Sequence, residues 1–190
     1  MGFHMNLTRA TLHGVSPRQA FAVDFFLETE DFHSQRHPGE TFTTEDFRKK
    51  NFRSLEELDD NAVEALRAEY QPRYHPWDKE KKWGRKTIFE EAGYWKGKYP
   101  IHKWFVKNVQ GGVDDGGIYA VSKEQLEKLK ATCEAVLSGK RQVNRVLPSA
   151  RDWAGIDEGY EEVMRDTIEI IDRILSETDW ETQTICYCGS

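Results

Sequence analysis

FHMNL at residues 3–7 and TICYC at residues 184–188 decide the fold. Phe3, Met5 and Leu7 alternate with His4 and Asn6, and Ile185 and Tyr187 alternate with Thr184, Cys186 and Cys188. A period of two puts one set of side chains on one face of a strand. Two strands alone are marginal in water, so each needs a partner and a cover for its apolar face. Both lie at the ends of the chain, and the expectation is that they pair and tie those ends together. The rest reads mainly as helix. The predicted fold is therefore α+β: a mainly helical single domain, 1–190, with a small antiparallel sheet pairing the N- and C-terminal strands.

Working inward from the C-terminal strand, the helices grow clearer. Tyr160, Val163, Met164, Thr167, Ile168, Ile171, Ile174 and Leu175 fall on one helical face, with Glu161–Arg165 and Glu169–Arg173 as favourable i,i+4 pairs opposite. Ser122-x-x-Gln125 is a capping box, with Val121 and Leu126 placed as a hydrophobic staple. Leu126, Leu129, Cys133, Val136 and Leu137 line the helix it opens, and Gly139 ends it. Pro100 suits the first turn of another helix, striped by Ile101, Trp104, Phe105 and Val109 and stopped at Gly111-Gly112. Thr87 is read as the cap of a short helix holding Ile88, Phe89, Ala92 and Trp95. Ser54-x-x-Glu57 is read as the start of a helix carrying Leu55, Leu58, Ala62, Ala65 and Leu66, ended by Pro72. Residues 11–53 read as irregular and rich in Phe, with a turn at QRHPGETF (35–42).

Charge is unevenly placed. The chain carries a net charge of −6, yet residues 71–107 hold ten Lys/Arg against four Asp/Glu and four of the six Trp. An acidic protein that gathers its cations and large rings in one segment is built to meet an anion or a partner surface there. Interleaved cations and flat rings serve phosphates and stacked bases. Trp95 and Trp104 sit at helical spacing and read as core. Trp77 and Trp83 lie in a polar stretch, 72–86, read as a basic loop. The candidate partner-binding residues are Trp77, Lys79, Lys81, Lys82, Trp83, Arg85, Lys86, Tyr94, Lys96 and Lys98, with the cations of 79–86 expected to face only Glu80.

His102 lies one position from an apolar stripe, and Asp114 and Asp115 follow in a Gly-rich loop, GGVDDGG (111–117), able to fold back toward it. The first reading is a histidine hydrogen-bonded at the core edge; the second is acid–base chemistry. No H-x-x-H, H-E-x-x-H or paired-carboxylate spacing indicates a metal, and no G-x-S-x-G, P-loop or G-x-G-x-x-G motif is present. No cofactor is expected. Cys133, Cys186 and Cys188 show no zinc spacing and read as reduced thiols used as small hydrophobes. The sequence shows no secretion signal at its start and no apolar run long enough for a membrane span, so a cytoplasmic protein is expected.

These residues together resemble a family of small bacteriophage and prophage proteins with no agreed activity. The resemblance rests on Met1-Gly2-Phe3-x-Met5-x-Leu7; on Tyr94-Trp95…Ile101-His102-x-Trp104-Phe105-Val106…Asn108-Val109-Gln110-x-Gly112-x-Asp114-Asp115; on Tyr119-x-Val121-Ser122-x-Glu124-Gln125-Leu126 and Leu147-Pro148; and on Asp166-Thr167-Ile168-Glu169-Ile170 and Thr178-Asp179-Trp180. The family usually has Asp where His4 stands, and Arg-Lys-x-Asn where this chain has Lys96-Gly97-Lys98-Tyr99. Residues 8–89 fall outside the resemblance and read as a member-specific insertion. The resemblance implies a viral or mobile-element origin and action in a bacterial host cytoplasm. The expected function is a non-enzymatic binding protein that modulates or inhibits a host system, for instance an anti-CRISPR-like inhibitor of a host protein or ribonucleoprotein, with nucleic acid or a nucleotide as other partners. Two alternatives stand beside it: a hydrolase- or nuclease-like enzyme using His102 with Asp114 and Asp115, and a sensor holding a nucleotide against Tyr94 and Trp95.

Overall fold

Strands from the two ends of the chain lie side by side in the middle of one sheet. The computed structural model describes residues 4–49, 58–74, 80, 84–96, 99–140, 147 and 159–189. The sheet is built from β1 (His4–Ala10), β4 (Glu90–Lys96), β5 (Ile118–Val121) and β6 (Thr184–Gly189), antiparallel, in the order β4-β1-β6-β5. The expected pairing of the terminal strands is therefore observed, and the α+β reading holds. In the β5–β6 register Val121 faces Ile185 and Tyr119 faces Tyr187.

The chain divides into two compact units, Met1–Arg9 with Glu91–Ser190, and Ala10–Glu90. In the first, Met5, Leu7, Trp95, Val121, Ile185 and Tyr187 from the sheet join one core cluster with three helices. These are α4 (Tyr99–Asn108), α5 (Lys123–Leu137) and α6 (Gly159–Glu177). Each buried Leu, Ile or Val side chain contributes roughly 1.5–3 kcal/mol, so this cluster is the main stabilising term of the unit. Ser122 caps α5 through the expected box: its hydroxyl accepts from the Gln125 amide, and the Gln125 side chain bonds the Ser122 amide. The staple residues Val121 and Leu126 are both buried. Gly139, at φ +70°, turns the chain out of α5, as expected of a left-handed position after a helix. Burial pushes the thiols of Cys133 and Cys186 up to about 12, so both stay neutral and serve as small apolar groups.

In the second unit the sequence reading needs correction. Residues 17–36 are not irregular but a 20-residue helix, α1 (Pro17–Arg36). Its start is a capping box, Ser16 with Gln19, with Pro17 at the first helical position where a missing amide hydrogen does no harm. It buries Ala20, Ala22, Val23, Phe26 and Leu27. Phe47 of α2 (Thr44–Lys49) meets Phe26 edge-on at 5.6 Å, and Phe42 stacks on Phe26 at 6.1 Å. The turn expected within 35–42 is present: the Glu40 amide bonds the His37 carbonyl at 3.1 Å, across Pro38 and a Gly39 at φ +88°.

Ser54 and Glu57 lie outside the described residues. The helix described there, α3 (Asp60–Leu66), is capped by Asp59, which accepts from the Asn61 amide. It buries Ala62, Val63 and Leu66 but leaves Ala65 exposed. A single 3₁₀ turn, Arg67–Glu69, follows, so Pro72 does not end the helix. Pro72 lies instead in β2 (Gln71–Arg73), which pairs antiparallel with β3 (Arg85–Thr87), Pro72 opposite Lys86. A two-stranded ribbon has only edges, so the missing Pro amide is tolerated. The expected helix after Thr87 is also a strand, β4. The Thr87 hydroxyl does meet a downstream amide, that of Phe89 at 3.1 Å, but as a local turn that leads into β4.

Candidate functional site

His102 enters the core from α4 and is 0 % exposed. Three local features fix its surroundings. Gly111 and Gly112, at φ +65° and +88°, reverse the chain after α4, and the Gly112 amide bonds the Val106 carbonyl at 2.8 Å. This returns the loop toward the helix it has just left, and His102 Nε2 lies 2.8 Å from Asp114 Oδ2. On the other side of the ring, Nδ1 lies 2.6 Å from the Tyr187 hydroxyl of β6. Gly189 completes the enclosure: a Cβ there would stand 2.6 Å from the Tyr187 oxygen and 2.9 Å from His102 Nδ1.

A carboxylate only accepts, so Nε2–H donates to Asp114, and Nδ1 shares the second bond with the Tyr187 hydroxyl. Burial, then the nearby Asp114 charge, push the Tyr187 phenol well above its ordinary range, so it remains a donor. Its ring stacks on Phe105 at 4.1 Å and 8°. The order hydroxyl, imidazole, carboxylate is that of a nucleophilic triad. Here, however, the phenol is buried to 0 % exposure and reaches no solvent. His102 is thus a buried histidine with a hydrogen-bond partner on each ring nitrogen.

The expected pair of carboxylates separates. Asp114 joins His102 and lies 3.7 Å from Lys103 Nζ. Asp115 turns the other way and accepts from the Gly117 amide at 2.8 Å and the Tyr119 hydroxyl at 2.7 Å. Trp95 is buried, its indole N–H bonded to Thr167 Oγ1 at 3.1 Å, so it offers no face for a nucleotide. Tyr94 is half-buried, with its hydroxyl on His4 Nδ1.

Of the basic segment, Trp77, Lys79, Lys81, Lys82, Trp83 and Lys98 lie outside the described residues, and Lys96 closes β4. Arg85 and Lys86 are described, and they correct the expectation that the cations of 79–86 face only Glu80. Arg85 bonds Glu28 at 2.5 Å and Lys86 bonds Asp31 at 3.1 Å. Asp24 accepts from the Ile88 amide at 2.6 Å and the Thr87 hydroxyl at 3.0 Å. Asp24, Glu28 and Asp31 are spaced i, i+4, i+7, so they form one stripe of α1 that receives β3 residue by residue. Burial raises the Asp24 carboxyl above its ordinary range, opposed by those two hydrogen bonds and by Arg85. The same stripe acts on Tyr70, whose phenol is pushed up to about 12 by burial and then by Asp31, Asp24 and Glu28. The sequence reading overlooked these carboxylates because it overlooked α1; their helical spacing was the available signal.

Among the described residues, no group of three or more His, Cys, Asp or Glu side chains is assembled to hold a metal ion. No described helix is long and apolar enough to cross a membrane. No protein-family model, no curated protein and no solved structure matches this chain.

Proposed function

We propose that this protein is a non-enzymatic binding protein of phage type that modulates a host bacterial system by engaging an anionic surface of a host protein or ribonucleoprotein. One observation carries the reading: part of the segment rich in cations and Trp, residues 74–84, joins the two strands of an anchored ribbon. Residues 74–84 join β2 to β3, and β3 is fastened to α1 by Arg85–Glu28, Lys86–Asp31 and the two bonds to Asp24. At its base a Cβ on Gly84 would stand 2.7 Å from the Tyr74 ring, so the two ends of the connection meet closely. A stem fixed in this way lowers the ordering cost of presenting Lys79, Lys81, Lys82, Trp77 and Trp83 to a partner. Exposed cations contribute little inside one chain, about 0–1 kcal/mol per pair, and more by steering an oppositely charged partner.

The test compares native protein with Lys81→Glu/Lys82→Glu as bait in bacterial host lysate, then measures affinity for the captured partner across salt. The expected result is capture by the native bait alone, with the difference largest at low salt. A nucleic-acid component would show log affinity falling linearly with log salt. Equal capture by both baits, with affinity flat across salt, would remove this reading.

A further inference from the structure

The β2–β3 ribbon is held to α1 by a different force from the one that joins the helices of its unit. α1, α2 and α3 each bury apolar side chains, among them Phe26, Leu27, Phe47, Val63 and Leu66. None of the six paired ribbon residues is buried. Gln71, Pro72, Arg85 and Lys86 are exposed, and Arg73 and Thr87 are half-buried. Apolar burial therefore adds little to the docking of the ribbon. An isolated pair of strands is marginal in water, so the ribbon depends on support from outside itself.

That support is polar and falls into two parts. At the root, Asp24 accepts from the Ile88 amide at 2.6 Å and the Thr87 hydroxyl at 3.0 Å. Both bonds are partly buried, and Ile88 itself is fully buried, so this end is fixed. One and two residues further out, Lys86 meets Asp31 and Arg85 meets Glu28. The side chains of these two pairs remain between 34 % and 66 % exposed. Exposed pairs are individually weak, and salt screens them more readily than the bonds at the root. Arg73, opposite Arg85 in the ribbon, lies 3.9 Å from Glu69, in the turn that leads into its own strand, and not on α1. The outer end of the ribbon thus rests on two carboxylates three residues apart on one helix.

We propose that Glu28 and Asp31 form an electrostatic latch on the β2–β3 ribbon. Closed, the latch holds Arg85 and Lys86 on α1 and gives the two strands the support they lack alone. Screening or neutralising its charges opens it. The ribbon then swings from the fixed root at Thr87 and Ile88 and frays, while α1 keeps its capping box and its buried face. Ionic strength, or an anion that competes for Arg85 and Lys86, sets whether those two cations face α1 or solvent. The device goes beyond the binding reading and does not depend on what the protein binds.

The test is amide hydrogen exchange on the full chain without any partner, so its outcome is separate from that of the lysate capture. The native protein is measured at about 0.1 M and about 1 M NaCl, where charges are screened beyond about 10 Å and about 3 Å. Glu28→Gln/Asp31→Asn is measured at the lower salt; both replacements keep the size of the side chain and remove only its charge. The expected result is that ribbon amides within 71–73 and 85–87 exchange roughly two- to thirtyfold faster in high salt and in the double variant, the factor that two exposed ion pairs supply. The α1 amides from Val23 to Leu27 should not change. Ribbon amides that answer to neither change or to only one of them, or α1 amides that quicken together with the ribbon, would each overturn the latch.

Discussion

Gly93 of β4 stands so close to Ile170 of α6 that a Cβ built on it would lie 2.5 Å from the Ile170 Cγ2 methyl. The strand can approach the helix only because residue 93 has no side chain. Gly93→Ala should therefore destabilise by about 1–3 kcal/mol, the usual range for overpacking a filled core. Chemical denaturation checks it, and an unchanged midpoint would mean that β4 does not press on α6.

Trp104 is core and not a binding residue. It is buried on α4 and meets Phe105 edge-on at 5.4 Å. Trp104→Ala is expected to lower stability by about 3–5 kcal/mol. A soluble variant with unchanged melting would contradict its placement.

The two bonds to His102 should be unequal. Asp114 is 40 % exposed, so in Asp114→Ala water can take over the Nε2–H bond, and the cost should be near a net hydrogen bond, about 0.5–1.5 kcal/mol. Tyr187 is sealed, so Tyr187→Phe removes the bond to Nδ1 where water cannot replace it and should cost about 1–3 kcal/mol. Finding Asp114→Ala the more damaging change would reverse this account.

Asp24 predicts a pH effect. Its folded-state pKa is raised, so the folded chain holds that proton more tightly than the unfolded one. The stabilisation this gives is fully present below the ordinary value of 3.8 and is lost as pH rises through the raised one. Asp24→Asn does not titrate, so its stability relative to the native chain should climb between about pH 4 and pH 7. Urea midpoints across that range test it, and a relative stability that falls with pH would show Arg85 outweighing burial.

What the sequence disclosed, and what it hid, follows from how each face is made. In α5 and α6 the buried residues are large aliphatics at helical spacing, so the stripe is legible without the structure. In α1 the buried face mixes small residues, Ala20, Ala22 and Val23, with Phe26 and Leu27, while Phe21 and Phe32, at 48 % and 53 % exposure, sit off it. Large apolar residues thus fall both on and off the period that defines the helix, and the stripe is blurred. Just before and within β4, Ile88, Phe89, Ala92 and Trp95 imitate helical spacing by chance. Gly93, a poor helix former, was the contrary signal, and its real role is contact with a helix far along the chain. Asp114 was legible beside His102 because it lies only twelve residues on, in a Gly-rich loop after α4 that can fold back. Tyr187, 85 residues further on, was legible only as a strand residue.

The placement of β6 between β1 and β5 has a consequence for synthesis. β1 is made early, yet its neighbour on that side is β6, so the middle of the sheet cannot close until residues 184–189 have been made. Residues 10–90 contain their own buried aromatic cluster and can organise sooner. During translation β1 therefore waits with one unpaired edge, and contacts this distant in sequence form slowly. Nascent chains arrested before residue 184 should carry an ordered stretch within residues 10–90 and a protease-sensitive β1, and extension beyond β6 should protect both strands in one step.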